Sequence, residues 1–122
     1  MCIRDRCMFV QGKKNVFDIE WNSEGVKYKD IYNQSEKEFS AYNFEHADTE
    51  ILLSNFEHAE NECKSLLSKK LALPAYDQCL KASHIFNLLD ARGVIGVAER
   101  ANYIDRIREL SKGSGKLWLE SQ

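Results

Sequence analysis

A single proline, Pro74, stands in a chain of 122 residues. So few breakers leave long helices as the natural outcome. The apolar residues after Asp48 strengthen this expectation. Ile51, Leu52, Phe56, Ala59, Cys63, Leu66 and Leu67 follow one another at steps that keep to one helical stripe. Asp48 is placed to cap this helix, which is expected to reach about Lys70. Pro74 suits the start of the next helix, where a missing N–H costs nothing. That helix carries Tyr76, Cys79, Leu80, Ser83, Phe86, Leu88 and Leu89, and Gly93 is expected to end it. A further helix places Val94, Val97, Ala98, Ala101, Ile104 and Ile107 inward. Gly113-Ser114-Gly115 is expected to break it.

Upstream, Ser35-Glu36-Lys37-Glu38 matches a capping box and predicts a helix from about Gln34. The first part of the chain differs. Asn15 to Trp21 alternates apolar and polar residues, as a half-buried strand does. Asn22-Ser23-Glu24-Gly25 has turn chemistry, and Val26 to Tyr28 is read as a short returning strand. The predicted fold is therefore mainly α: a helical bundle of about four helices with a short N-terminal β-hairpin.

Charge and composition exclude some functions. The formal net charge is −2, without the basic excess of a non-specific nucleic-acid binder. No run approaches the roughly 20 apolar residues of a membrane span. Arg4, Asp5 and Arg6 stand where a signal peptide would begin its apolar region, so a cytoplasmic protein without membrane partners is expected. Cys2, Cys7, Cys63 and Cys79 form no CxxC pair and are read as free thiols.

No constellation of side chains announces a reaction. Asn43-Phe44-Glu45-His46-Ala47 recurs as Asn55-Phe56-Glu57-His58-Ala59. On one continuous helix the two histidines would lie roughly 18 Å apart, too far to share a metal unless the chain reverses. His84, between Ala82 and Ile85, reads as a partly buried, hydrogen-bonded histidine rather than a catalytic base. Arg92, Arg100, Arg106 and Arg108 read as a solvated face balanced by Asp90, Glu99, Asp105 and Glu109. A phosphate-gripping face is the alternative. Gly113-Ser114-Gly115-Lys116 lacks the glycine spacing of a phosphate loop.

Several ordered motifs nevertheless resemble one family. Tyr42-Asn43-Phe44-Glu45-His46-Ala47-Asp48 and Phe86-Asn87-Leu88-Leu89-Asp90-Ala91-Arg92 are similar to segments of the α subunit of the bacterial heterotetrameric glycyl-tRNA synthetase. Leu73-Pro74-Ala75-Tyr76, Lys81-Ala82-Ser83-His84, Glu99-Arg100 and Tyr103-Ile104-Asp105-Arg106-Ile107-Arg108 fit between and after them. Cys7 to Gly12 and Val16 to Trp21 match upstream, so the resemblance runs from about Cys7 to Leu119.

The resemblance implies a class II aminoacyl-tRNA synthetase. Such an enzyme activates glycine with ATP and Mg²⁺, then transfers it to tRNA(Gly). It implies as partners a second α subunit and the synthetase β subunit. It further implies a C-terminal piece of the α subunit. Residues 7–33 would end the catalytic domain, where the hairpin would be left over from the class II sheet. Residues 34–122 would form the C-terminal helical domain.

The family's third motif places an arginine where this chain has Asp5, and a carboxylate there would repel phosphate. Residues 1–6 are therefore expected to be non-native, and no catalytic, cofactor-binding or metal-ligating residue is expected in the chain. Within the matching motifs, Glu45, His46, Asn87, Asp90 and Arg92 are candidates for structural polar contacts between helices or subunits. A stand-alone, non-catalytic helical module that binds protein or tRNA is the alternative. Loss of cover over Phe9, Phe17 and Trp21 is expected to favour self-association or disorder near the N-terminus.

Overall fold

A computed structural model describes residues 2–122. The chain forms two compact units, Met1–His46 and Ala47–Gln122.

In the first unit, α1 spans Ile3–Val10 and α2 spans Tyr28–Ala41. Between them lies a single 3₁₀ turn, Val16–Asp18. A π-helical turn, Tyr42–His46, follows α2. The expected β-hairpin does not form. Among the described residues there is no strand, only an isolated antiparallel bridge between Glu20 and Lys27. The Asn15 side chain accepts from the Phe17 N–H at 2.9 Å, which curls the alternating segment into the 3₁₀ turn. The chain does reverse where turn residues were expected. Asn22 Oδ1 accepts from the N–H groups of Glu24 and Val26, at 3.0 and 3.1 Å. The Trp21 N–H reaches the Val26 carbonyl and the Tyr28 N–H the Ile19 carbonyl, each at 2.8 Å. The return is cut short because Tyr28 already opens a helix.

Helix α2 starts well before the expected position. The Asp30 carboxylate accepts from the Lys27 N–H at 2.8 Å and fixes that start. Ser35 to Glu38 then lie inside the helix, where Gln34 donates to Glu38 at 2.9 Å. The aromatic rings of Phe17, Trp21, Tyr28 and Tyr32 gather beside this helix, with Tyr28 and Tyr32 centroids 4.8 Å apart. Phe9 is 87% exposed and Trp21 53%, while Phe17 is half-buried.

The second unit is a packing of three helices: α3 (Thr49–Ser68), α4 (Ala72–Ala91) and α5 (Val97–Glu120). The described residues thus form five α-helices rather than about four, and three of them share one core. Asp48 caps α3 as expected, accepting from the Glu50 and Ile51 N–H groups at 2.9 and 3.2 Å. Pro74 is the third residue of α4, still within the first turn, where no backbone partner is lost. Gly93 ends α4 in the left-handed region, at φ 71. The Val94 N–H closes on the Leu89 carbonyl at 3.1 Å, a Schellman ending.

The core is Leu52, Phe56, Ala59 and Cys63 from α3, Ala75, Cys79, Ala82, Phe86, Leu88 and Leu89 from α4, and Leu110 from α5, joined by Ala47 and Ile95. Burying a large side chain such as Phe56 or Leu89 contributes about 1.5–3 kcal/mol. Val97 is 94% exposed, and Ala98 and Ala101 also face water. The inward face of α5 begins only at Tyr103, Ile104 and Ile107.

The expected break at Gly113-Ser114-Gly115 is absent, and α5 runs through it. Each helical glycine costs about 1 kcal/mol relative to alanine, which weakens a helix without ending it. Packing decides here. A Cβ on Gly113 would lie 3.0 Å from Leu67 Cδ1, so the bare glycine lets α5 approach the end of α3. Ser114 is buried, and its hydroxyl donates to the Leu110 carbonyl at 2.8 Å.

Candidate functional site

The strongest polar feature of the second unit joins α3 to α5. Glu60 follows Phe56 by one helical turn and precedes Cys63, so its carboxylate projects from the apolar row into the core edge. It is 6% exposed. Arg106, one turn before buried Leu110, reaches it from α5. Its Nε donates to Glu60 Oε1 at 3.1 Å, and its terminal nitrogen donates to Oε2. Lys64 Nζ adds a third donor at 3.0 Å. The guanidinium also covers the rings of Phe56 and Tyr103, 4.8 and 5.0 Å from their centroids. Tyr103 in turn meets Phe56 edge-on at 5.0 Å and stacks with Phe86 at 6.0 Å.

The electrostatics follow from this geometry. The Arg106 hydrogen bonds, helped by Lys64, hold the Glu60 carboxyl below the usual carboxylate range against the opposing effect of burial. Glu60 in turn raises the Arg106 guanidinium. Both oxygens of the carboxylate accept from cations, so it is a clamp between helices and not a free base. Sequence reasoning passed over Glu60 and assigned Arg106 to a solvated face. The available signal was a carboxylate set within the stripe Phe56, Ala59, Cys63.

The sequence-derived candidates divide into two groups. Arg92 and Asp90 both join segments. Arg92 donates to the Ala47 carbonyl at 2.9 Å, tying the end of α4 to the start of α3. Asp90 accepts from Arg100 Nε at 3.1 Å, bridging α4 and α5. Glu45 and His46 lie together on the π-helical turn, 3.9 Å apart and about 70% exposed. Asn87 is exposed on α4.

His84 is exposed rather than partly buried. It shares with His58 an open trough of about 850 Å³ between α3 and α4, which Asn55, Glu62, Gln78 and Lys81 also line. Among the described residues, no three His, Cys, Asp or Glu side chains are grouped to hold a metal ion. No helix among them is long and apolar enough to cross a membrane.

These contacts give the motif residues structural work, and the assignment comes from the sequence as a whole. The family model of the glycyl-tRNA synthetase alpha subunit matches residues 3–122. The chain belongs to this family. The family is that of an aminoacyl-tRNA ligase subunit, and the ordered resemblance of the motifs is thereby explained. In this alpha-subunit chain, Asp90 and Arg92 close the last turn of α4 onto its neighbours. Asp5 lies in the first turn of α1, and Arg92, Arg100 and Arg106 are turned to protein acceptors.

Proposed function

We propose that the chain is a C-terminal, helical part of a glycine–tRNA ligase α subunit and that alone it neither forms glycyl-adenylate nor charges tRNA. The intact subunit would activate glycine with ATP and Mg²⁺ and pass it to tRNA(Gly) in the cytoplasm. It would work with a second α subunit and a β subunit. The family match supports the enzyme, and the commitment of the arginines supports the inactivity. Phosphoryl chemistry needs cations aimed at the developing charge. Here Arg106 is held by Glu60, Arg100 by Asp90 and Arg92 by the Ala47 carbonyl.

Glycine-dependent exchange of pyrophosphate into ATP by the purified chain tests this directly. No exchange above a protein-free control is expected. Clear exchange that depends on glycine would refute the inactivity.

A further inference from the structure

The open trough between α3 and α4 takes no part in the contacts described so far. Asn55, His58 and Glu62 of α3 stand opposite Lys81 and His84 of α4, above a base of buried Ala59 and half-buried Ile85. The second Asn-Phe-Glu-His-Ala segment accounts for the α3 wall. Its Phe56 and Ala59 enter the core, which leaves Asn55 and His58 to the trough and Glu57 to the outer face.

Charge sets this wall apart. Between Lys37 and Lys64 the chain has no lysine or arginine. Buried Glu60 is turned inward to Arg106 and Lys64. Glu50, Glu57 and Glu62 are exposed, and none has a cationic partner among the described residues. Glu50 and Glu57 are two turns apart and so share one row beside the trough, while Glu62 lines it. The neighbouring helices differ. Asp77 on α4 holds Lys81 at 3.0 Å, and Asp105, Glu109 and Glu120 on α5 each have a cation at 3.6–3.8 Å. The Lys81 charge is therefore compensated, and the negative charge of the α3 wall is not.

We propose that this trough docks a basic segment of another polypeptide. An apolar base below unpaired carboxylates suits lysine and arginine, whose aliphatic stems cover apolar surface while their charged heads reach outward. The stems would lie over Ala59 and Ile85, and the heads would meet Glu57 and Glu62. Nucleic acid is a poor occupant, because its phosphates would face the same carboxylates. A second copy would have to offer cations that on α5 are already held by their own carboxylates.

The test uses the full chain and two fluorescein-labelled peptides followed by anisotropy. They share one sequence, except that the charged positions are lysine in one and glutamate in the other. The basic peptide is expected to bind at least about tenfold more tightly. Glu57→Gln combined with Glu62→Gln should weaken it by about three- to tenfold, the range for two exposed ion pairs. Asn55→Lys, which sets a cation in the α3 wall, should weaken it in the same direction. Glu109→Gln removes one carboxylate from α5 and should leave binding unchanged. All these positions are exposed, and the melting temperature of each variant checks that the fold is kept. Equal binding of the two peptides would overturn the proposal, as would a loss in Glu109→Gln matching that in the Glu57/Glu62 variant. Displacement of the peptide by spermidine at equal concentration would show that charge alone is bound and no segment is docked. An RNA hairpin, or self-association by light scattering, that responds to the Glu57/Glu62 variant while the basic peptide does not would overturn it too.

Discussion

Arg106 and Glu60 are joined by two hydrogen bonds across α3 and α5 while the same guanidinium lies over Phe56 and Tyr103. One side chain therefore serves both the ion pair and the aromatic cluster. Glu60→Gln is expected to destabilise the chain by about 2 kcal/mol, less than a fully buried pair because the Arg106 side chain is 31% exposed. Replacing both, as Glu60→Leu with Arg106→Met, removes the stranded charge and should recover most of that loss. Urea denaturation of the three variants checks the order. The pH dependence has a definite sign. The lowered Glu60 pKa contributes stability that is fully present above the unfolded carboxyl value of about 4.3 and is lost as pH falls through the folded value. Native chain should thus lose stability in that acid window, and Glu60→Gln should show a shallower acid limb.

Gly113 and Leu67 set how closely α5 packs on α3. Gly113→Ala gains about 1 kcal/mol of helix propensity but presses on Leu67 Cδ1 at 3.0 Å. The two effects are expected to cancel to within about 1 kcal/mol. A larger, branched side chain cannot be relieved by a small methyl shift, so Gly113→Val should cost about 1–3 kcal/mol. Shortening the neighbour should expose the coupling. In a double-mutant cycle with Leu67→Ala, part of the Gly113→Val loss should be recovered, and additive losses would show that the contact is not limiting.

The two ends of this packing show what a sequence can and cannot disclose. The α3 stripe from Leu52 to Leu67, the Asp48 cap and the Gly93 ending were legible, because each depends on a local period or a local backbone bond, whereas Ile51, read into the same stripe, faces water. The Glu60 clamp was not, because its partner lies 46 residues away and only the fold brings Arg106 to it. Gly113 misled for the same reason. Its local meaning is a weak helix, while its tertiary meaning is room for Leu67. In the first unit, alternation from Asn15 to Trp21 resembled a strand, but a strand also needs a partner of matching length. The Asn15 side chain and the early start of α2 at Tyr28 removed that partner. Of the site candidates, Asp90 accepts from Arg100 and Arg92 donates to the Ala47 carbonyl. Glu45, His46 and Asn87 remain on the surface, where spacing alone could not place them.

Helix α3 ends on Lys70, a non-glycine residue in the left-handed region at φ 60. Gly93 occupies the equivalent position after α4. The geometry is the same in both: Leu71 N–H closes on the Leu66 carbonyl at 3.0 Å, as Val94 does on Leu89. A left-handed L-residue costs about 1–2 kcal/mol, whereas glycine avoids the clash but orders more entropy. Lys70→Gly is therefore expected to stabilise the chain by about 0.5–1 kcal/mol, seen as a higher thermal midpoint. Lys70→Val, β-branched at the same φ, should be destabilising.

Cys63 and Cys79 are buried in the core, and burial raises both thiols above their ordinary values. Cys2 is exposed, and hydrogen bonds from the Arg4 and Asp5 backbone lower its thiol. Reaction with an alkylating reagent requires the thiolate and access to it. Timed iodoacetamide labelling under native conditions, read by mass spectrometry, should therefore modify Cys2 first and leave Cys63 and Cys79 unmodified. The two core thiols should label only as the helical unit opens, with a urea dependence that tracks its unfolding. Glu60→Gln should advance their labelling to lower urea, because it loosens α5 from the helix that carries Cys63. Labelling of Cys63 at the rate of Cys2 in the native chain would contradict the packing of α3 against α4 and α5.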